Sequence, residues 1–146
     1  MAKEIRAVKE LLGQIKRLDV RINNKLEEMA NLKALAYKVT TTLRQDAAFG
    51  GGGNGDKVGD AVAKIIELEN SINDDIDELV DKKREISAII ERVQNVDQYD
   101  VLHQHYFLHK SLEKIAQERF MSYRNVCYIH GRALQTVATI LEDERI

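Results

Sequence analysis

Apolar residues recur at helical spacing along most of this chain. Leu11, Ile15, Leu18 and Ile22 step by four, three and four. Leu26, Met29, Leu32, Ala36, Val39 and Leu43 continue that stripe after one slip. The pattern predicts an amphipathic helix of about 40 residues. A second run starts near Val58. Val62, Ile65, Leu68, Ile72, Ile76, Leu79, Ile86, Ile90 and Val93 repeat with coiled-coil spacing, and Lys83 takes the one polar seam position. The stretch 46–57, DAAFGGGGNGDK, separates the two runs and contains five glycines. Glycine at that density disfavours helix and predicts a flexible connector. Two helices of similar length, each with one apolar stripe, are expected to fold back on each other as a long antiparallel helical hairpin over residues 1–95.

The pattern changes after Gln94 and Asn95. Six of the eight aromatic residues and all four histidines lie between Tyr99 and His130. This shift predicts a compact three-helix module over 96–146. Its first helix is expected at Tyr99–His109, with Leu102, Tyr106 and Phe107 turned inward. Ser111 is placed to cap a second helix, Leu112–Arg119, which buries Leu112, Ile115 and Ala116. Ser122 is placed to cap a third, with Val126, Ile129, Ala133, Leu134 and Val137 facing in. Its outward positions carry Tyr123, Arg124, Asn125, Tyr128, His130, Arg132 and Gln135. No acidic residue occurs from Ser122 to Leu141. That charge pattern suits a helix lying in the major groove of DNA.

Charge refines the picture. Residues 1–45 hold ten Lys or Arg against five Asp or Glu, and residues 46–96 hold six against twelve. Segments of opposite sign are expected to lie together. The whole chain carries a net charge of −2, so it is not a generally basic nucleic-acid binder. Cys127 is the only cysteine, which excludes an internal disulfide. No apolar run approaches the ~20 residues of a membrane span, and the N-terminus lacks a signal-peptide core. A cytoplasmic location, in a bacterial host cell, is expected.

Several candidate chemistries fail on spacing. The glycine run is not a phosphate-binding loop, because Lys57 is followed by Val58 and a helix precedes it. Asp74, Asp75, Asp77, Glu78 and Asp81 lack the ligand alternation of a calcium loop and read as a solvated face opposite a basic neighbour. His105 and His109 share a face of the expected first helix, but no third ligand stands at metal-motif spacing. Cys127 reads as a small packing residue. No catalytic constellation, metal site or cofactor is expected, so the chain is not read as an enzyme.

The stretch Val101–Val137 resembles the fourth conserved region of bacterial primary-type sigma factors, whose helix-turn-helix recognises a promoter hexamer. The resemblance is carried by VLHQHYF, SLEKIA, the turn at Ser122, and the spacing of Val126, Ile129, Ala133 and Leu134. The order of hairpin, glycine-rich loop and sigma-like tail is also similar to small sigma-like phage and prophage proteins of uncharacterised function. The chain departs from the sigma pattern in the turn. Phe120 stands where a glycine is usual, so the turn is either bent differently or Phe120 fills the core in place of the leucine expected at Arg119. His103 and His105 replace early arginines, and the sigma regions that melt promoters are missing.

The resemblance implies a sequence-specific DNA-binding transcriptional regulator of phage or prophage type. Double-stranded DNA is the expected ligand and bacterial RNA polymerase a candidate partner, with homodimerisation through the hairpin. Arg124 is the leading base-reading residue, with Asn125 and Gln135 for adenine or phosphate. Tyr123 and Tyr128 are candidates for sugar-phosphate or thymine contact. Arg132, Lys110, Lys114 and Arg119 are candidates for phosphate. Two alternatives stay open: a module that binds polymerase without binding DNA by itself, and a packaging factor resembling small terminase subunits.

Overall fold

The computed structural model describes residues 2–46 and 55–144, and among them there is no strand. The elements are α1 (Ala2–Asp46), α2 (Gly55–Ile90), α3 (Val96–Leu102), a π-helical turn (His103–Phe107), α4 (Leu112–Glu118) and α5 (Tyr123–Glu144). The all-α fold class read from the apolar spacing is therefore correct. The expected connector over 46–57 is shorter than read. Asp46 closes α1 and Gly55 opens α2, and residues 47–54 lie outside the described residues. No described helix is long and apolar enough to cross a membrane.

The chain divides into two compact units, Asp19–Glu78 and Met1–Leu18 with Leu79–Ile146. In the first unit, α1 and α2 lie side by side, with one polar contact set in an apolar seam. Lys25 Nζ donates to Ser71 Oγ at 2.7 Å and to Asp75 Oδ2 at 2.5 Å. Arg21 approaches the other carboxylate oxygen at 3.8 Å. Asp75 is only 6% exposed. Two expectations change here. Asp75 is not on the solvated face, and the slip in the α1 stripe is Lys25 taking a seam position between Ile22 and Met29. Leu26, Val62 and Ile76 are correspondingly displaced from the seam and exposed. The side chains of Val39 and Leu43 lie outside the described residues.

In the second unit, Val8, Leu12, Ile15 and Leu18 of α1 are buried, as are Leu79, Ile86, Ile89 and Ile90 of α2. Leu11, expected in the stripe, is only half-buried, and Val8 and Leu12 carry it instead. Asn95 opens α3 earlier than the aromatic residues suggested, its side chain accepting from the Gln98 amide at 3.0 Å. The helix then widens, with Leu108 N donating to His103 O at 3.2 Å. Tyr99, His103 and Phe107 stack along this segment, with ring centroids 6.2 and 5.3 Å apart. His109, at φ 58°, lies beyond the helix end, so His105 and His109 do not share a helix face.

Both expected caps form. Ser111 Oγ accepts from Lys114 N and Ser122 Oγ from Asn125 N, each at 3.1 Å. Val101, Ile115, Ala116 and Val126 make a core packed by Leu112, Met121 and Ile129. α3 and α4 both rest on α5.

Candidate nucleic-acid interface

α5 is held by its buried side. Val126, Ala133, Leu134 and Val137 are buried along it, leaving the opposite side to solvent. At about 100° per residue, Arg124, Gln135, Tyr128, Arg132 and Asn125 fall within a sector of about 100°. Arg124, Asn125, Tyr128 and Arg132 are exposed and Gln135 is half-buried. Arg132 Nη1 donates to Gln135 Oε1 at 3.4 Å. The structure thus brings five of the sequence-predicted residues onto one face, which carries no acid of α5 before Glu142 and Asp143 at its C-terminal end.

Tyr123 is exposed but sits about 100° off that sector. Its phenol lies beside the Cys127 thiol, which raises its pKa, with Glu113 adding to the effect. His130, read as outward, is turned in. Its Nε2 lies 2.8 Å from the Tyr106 hydroxyl, and its ring meets His105 at 5.3 Å. Burial lowers the His130 pKa to about 4, with His105 and Lys9 adding repulsion. Burial also raises Tyr106 to about 12. Both groups are therefore neutral near pH 7, and the tyrosine hydroxyl and the imidazole nitrogen share one hydrogen bond whose donor is set by the imidazole tautomer. His105 Nδ1 in turn lies 2.7 Å from Lys110 O. This cluster ties the π-helical turn to α5 and fixes which face α5 presents.

The flanking cations divide. Arg119 donates to Asp97 at 2.5 Å, approaches Asp100 at 3.5 Å and is 20% exposed in its side chain. Lys110 Nζ pairs with Glu118 at 2.7 Å. Lys114 is exposed and makes no ion pair among the described residues. Of the three residues read as phosphate contacts outside α5, Lys114 alone is unengaged by a carboxylate there.

Sequence reasoning missed what Phe120 does. It stands in the turn between α4 and α5 at φ 56° and is 97% exposed. The turn is bent with the left-handed backbone a glycine would supply, and Met121, not Phe120, reaches the core. The signal was the missing glycine itself. A non-glycine residue at that position must adopt the strained conformation or break the turn. Among the described residues, no group of three or more His, Cys, Asp or Glu is arranged to hold a metal ion.

A family model matches residues 38–137, from the end of α1 through most of α5, and is described as a protein of unknown function, DUF1492. The match spans more than half of the chain, which therefore belongs to that family. No curated protein and no solved structure matches the chain.

Proposed function

We propose that this DUF1492 protein is a sequence-specific DNA-binding regulator of transcription, of phage or prophage type, rather than an enzyme. The observation that carries the reading is the outer face of α5 from Tyr123 to Leu141, which carries no acid. Arg124, Asn125, Tyr128 and Arg132 lie exposed on it, directly after the Ser122 cap. Arginine near the start of a recognition helix can grip guanine O6 and N7 bidentately, and asparagine can pair with adenine. The Tyr106–His130 contact supports the reading by holding α5 in one rotational setting. α4, the turn at Phe120 and α5 supply the helix-turn-helix of this proposal, with α5 entering the major groove N-terminus first.

Retention from a random duplex pool, read by sequencing, tests the reading. Enrichment of one motif by the wild-type chain, relaxed in Arg124→Ala, supports it. No enrichment at low salt would remove it.

A second reading has its own support. Lys110 and Arg119 are committed to internal carboxylates, which lowers the cationic charge around α5. Phe120 stands out of the fold in a strained conformation, and such residues concentrate at contact sites. On this reading the same module docks on a protein partner, bacterial RNA polymerase, without binding DNA alone. A DNA affinity that falls steeply with added salt separates the first reading from the second.

A further inference from the structure

The helices of the Asp19–Glu78 unit are not evenly polar outside their seam. In α1 the seam runs through Ile22, Lys25, Met29, Leu32 and Ala36, and in α2 through Ala61, Ile65, Leu68, Ile72 and Asp75. The positions one residue after each seam residue include six apolar residues, Leu26, Ala30 and Tyr37 in α1 and Val62, Ile66 and Ile76 in α2, beside the polar Asn23, Lys33, Glu69 and Asn73. All six are exposed, Tyr37 by 76% and Ile66 by 51%. The positions one residue before carry Arg21, Asn24, Glu28, Asn31 and Leu35 in α1, and Asp60, Lys64, Glu67, Ser71 and Asp74 in α2. Val20 is an exposed apolar residue off both rows, and Leu35 is the one exposed apolar residue of the second.

In an antiparallel pair of helices, a two-fold axis normal to the pair maps one helix onto the other and leaves each face in place. Equivalent offsets from the two seams therefore share a face. Ser71 and Arg21 both precede a seam position, and both converge on the Lys25–Asp75 pair. One face of the pair is thus apolar at six of ten positions and the other polar at all but Leu35, an asymmetry that water on both sides would not produce.

We propose that Leu26, Ala30, Tyr37, Val62, Ile66 and Ile76 form a dimerisation face, covered by the same face of a second copy of this chain. The inference rests on the antiparallel pairing of α1 and α2 and is independent of DNA binding.

Charge selects the arrangement. Residues 55–78 hold eight Asp or Glu against two Lys, whereas residues 19–46 hold four acids against five bases. Laying α2 on α2 would oppose like charge, while laying each α1 on the other copy's α2 opposes unlike charge. That crossing also brings Lys33 of one copy toward Glu69 of the other. Both are exposed and lie on the same apolar row.

Sedimentation equilibrium of the full chain at 10–100 µM tests this. The expected mass is about 33 kDa, twice the 16.7 kDa of one copy. Ile66→Lys with Ile76→Lys is expected to give a monomer of unchanged helical circular dichroism. Should that variant unfold, the exposed charge pair decides the matter. K33E alone is expected to weaken the dimer about 10-fold, and E69K in the same chain to restore it. A wild-type monomer at 100 µM would overturn the proposal, as would a dimer that survives I66K/I76K or a double charge swap that restores nothing. A larger closed ring would also overturn it.

Discussion

Lys25 Nζ lies 2.5 Å from Asp75 Oδ2 inside the seam between α1 and α2. Its stem occupies a position that Ile22 and Met29 bracket with apolar side chains. A single buried ion pair in an otherwise apolar seam adds little net stability, because desolvation offsets the attraction. It does forbid registers that leave either charge unpaired, as polar seam residues do in coiled coils.

Lys25→Met should therefore destabilise the chain by about 2 kcal/mol, because it leaves the buried Asp75 carboxylate with only the more distant Arg21. Lys25→Met combined with Asp75→Leu should recover that loss and more, with a less unique pairing of the helices. Urea unfolding of the three variants checks the energies. A single mutant as stable as the wild type would show that the pair is solvated in solution.

Phe120 holds φ 56° without burying its ring. Relief of that backbone conformation should outweigh the extra unfolded-state freedom of glycine. Phe120→Gly is expected to raise stability by about 1 kcal/mol, visible as a melting temperature higher by a few degrees. A lowered melting temperature would mean that the ring packs in solution.

His130 predicts a pH dependence with a definite sign. Its pKa is about 4 in the fold against an ordinary 6.5. The unfolded chain therefore takes up the proton first as pH falls. The stability contributed by the neutral ring is complete above about pH 6.5 and is lost progressively towards about pH 4. His130→Gln keeps an acceptor for Tyr106 and removes the titration. Between pH 6.5 and 4.5 it should lose about 2 kcal/mol less stability than the wild type. Parallel denaturation curves for the two chains across that window would contradict the assignment.

Arg119 and Arg132 should separate folding from binding. Arg119→Ala is expected to cost about 1–2 kcal/mol of stability by stripping Asp97 and Asp100 of their partner, with little change in the salt dependence of DNA binding. Arg132→Ala should leave stability within about 0.5 kcal/mol and reduce the salt slope by about 1. Denaturation midpoints and salt titrations of affinity, measured on both variants, check the division. The reverse assignment would mean that Arg119 leaves its carboxylates to reach phosphate.

The apolar period made the helices legible, because burial on one side imposes a stripe that survives in sequence. Ser111 and Ser122 were legible for the same local reason, since a cap is a property of one residue and the next turn. Lys25 and Asp75 were not. Each is an ordinary surface residue until the opposite helix supplies its counter-charge, and adjacent isoleucine and leucine residues offered a competing register. His130 was misread outward because its hydrogen-bond partner, Tyr106, comes from an element 24 residues away. The π-helical turn that delivers Tyr106 has no sequence signal of its own. The face of α5 was legible as an arrangement of residues, whereas the engagement of Lys110 and Arg119 depends on carboxylates brought in by tertiary packing.

The measurement that bears most directly on the account is selection from a random duplex pool by the wild-type chain beside Arg124→Ala and Tyr128→Ala. The account predicts one enriched motif for the wild type. Arg124→Ala should relax it at a guanine position, and retention should fall steeply as salt rises. Equal, unenriched retention by all three chains at low salt would contradict DNA reading by α5.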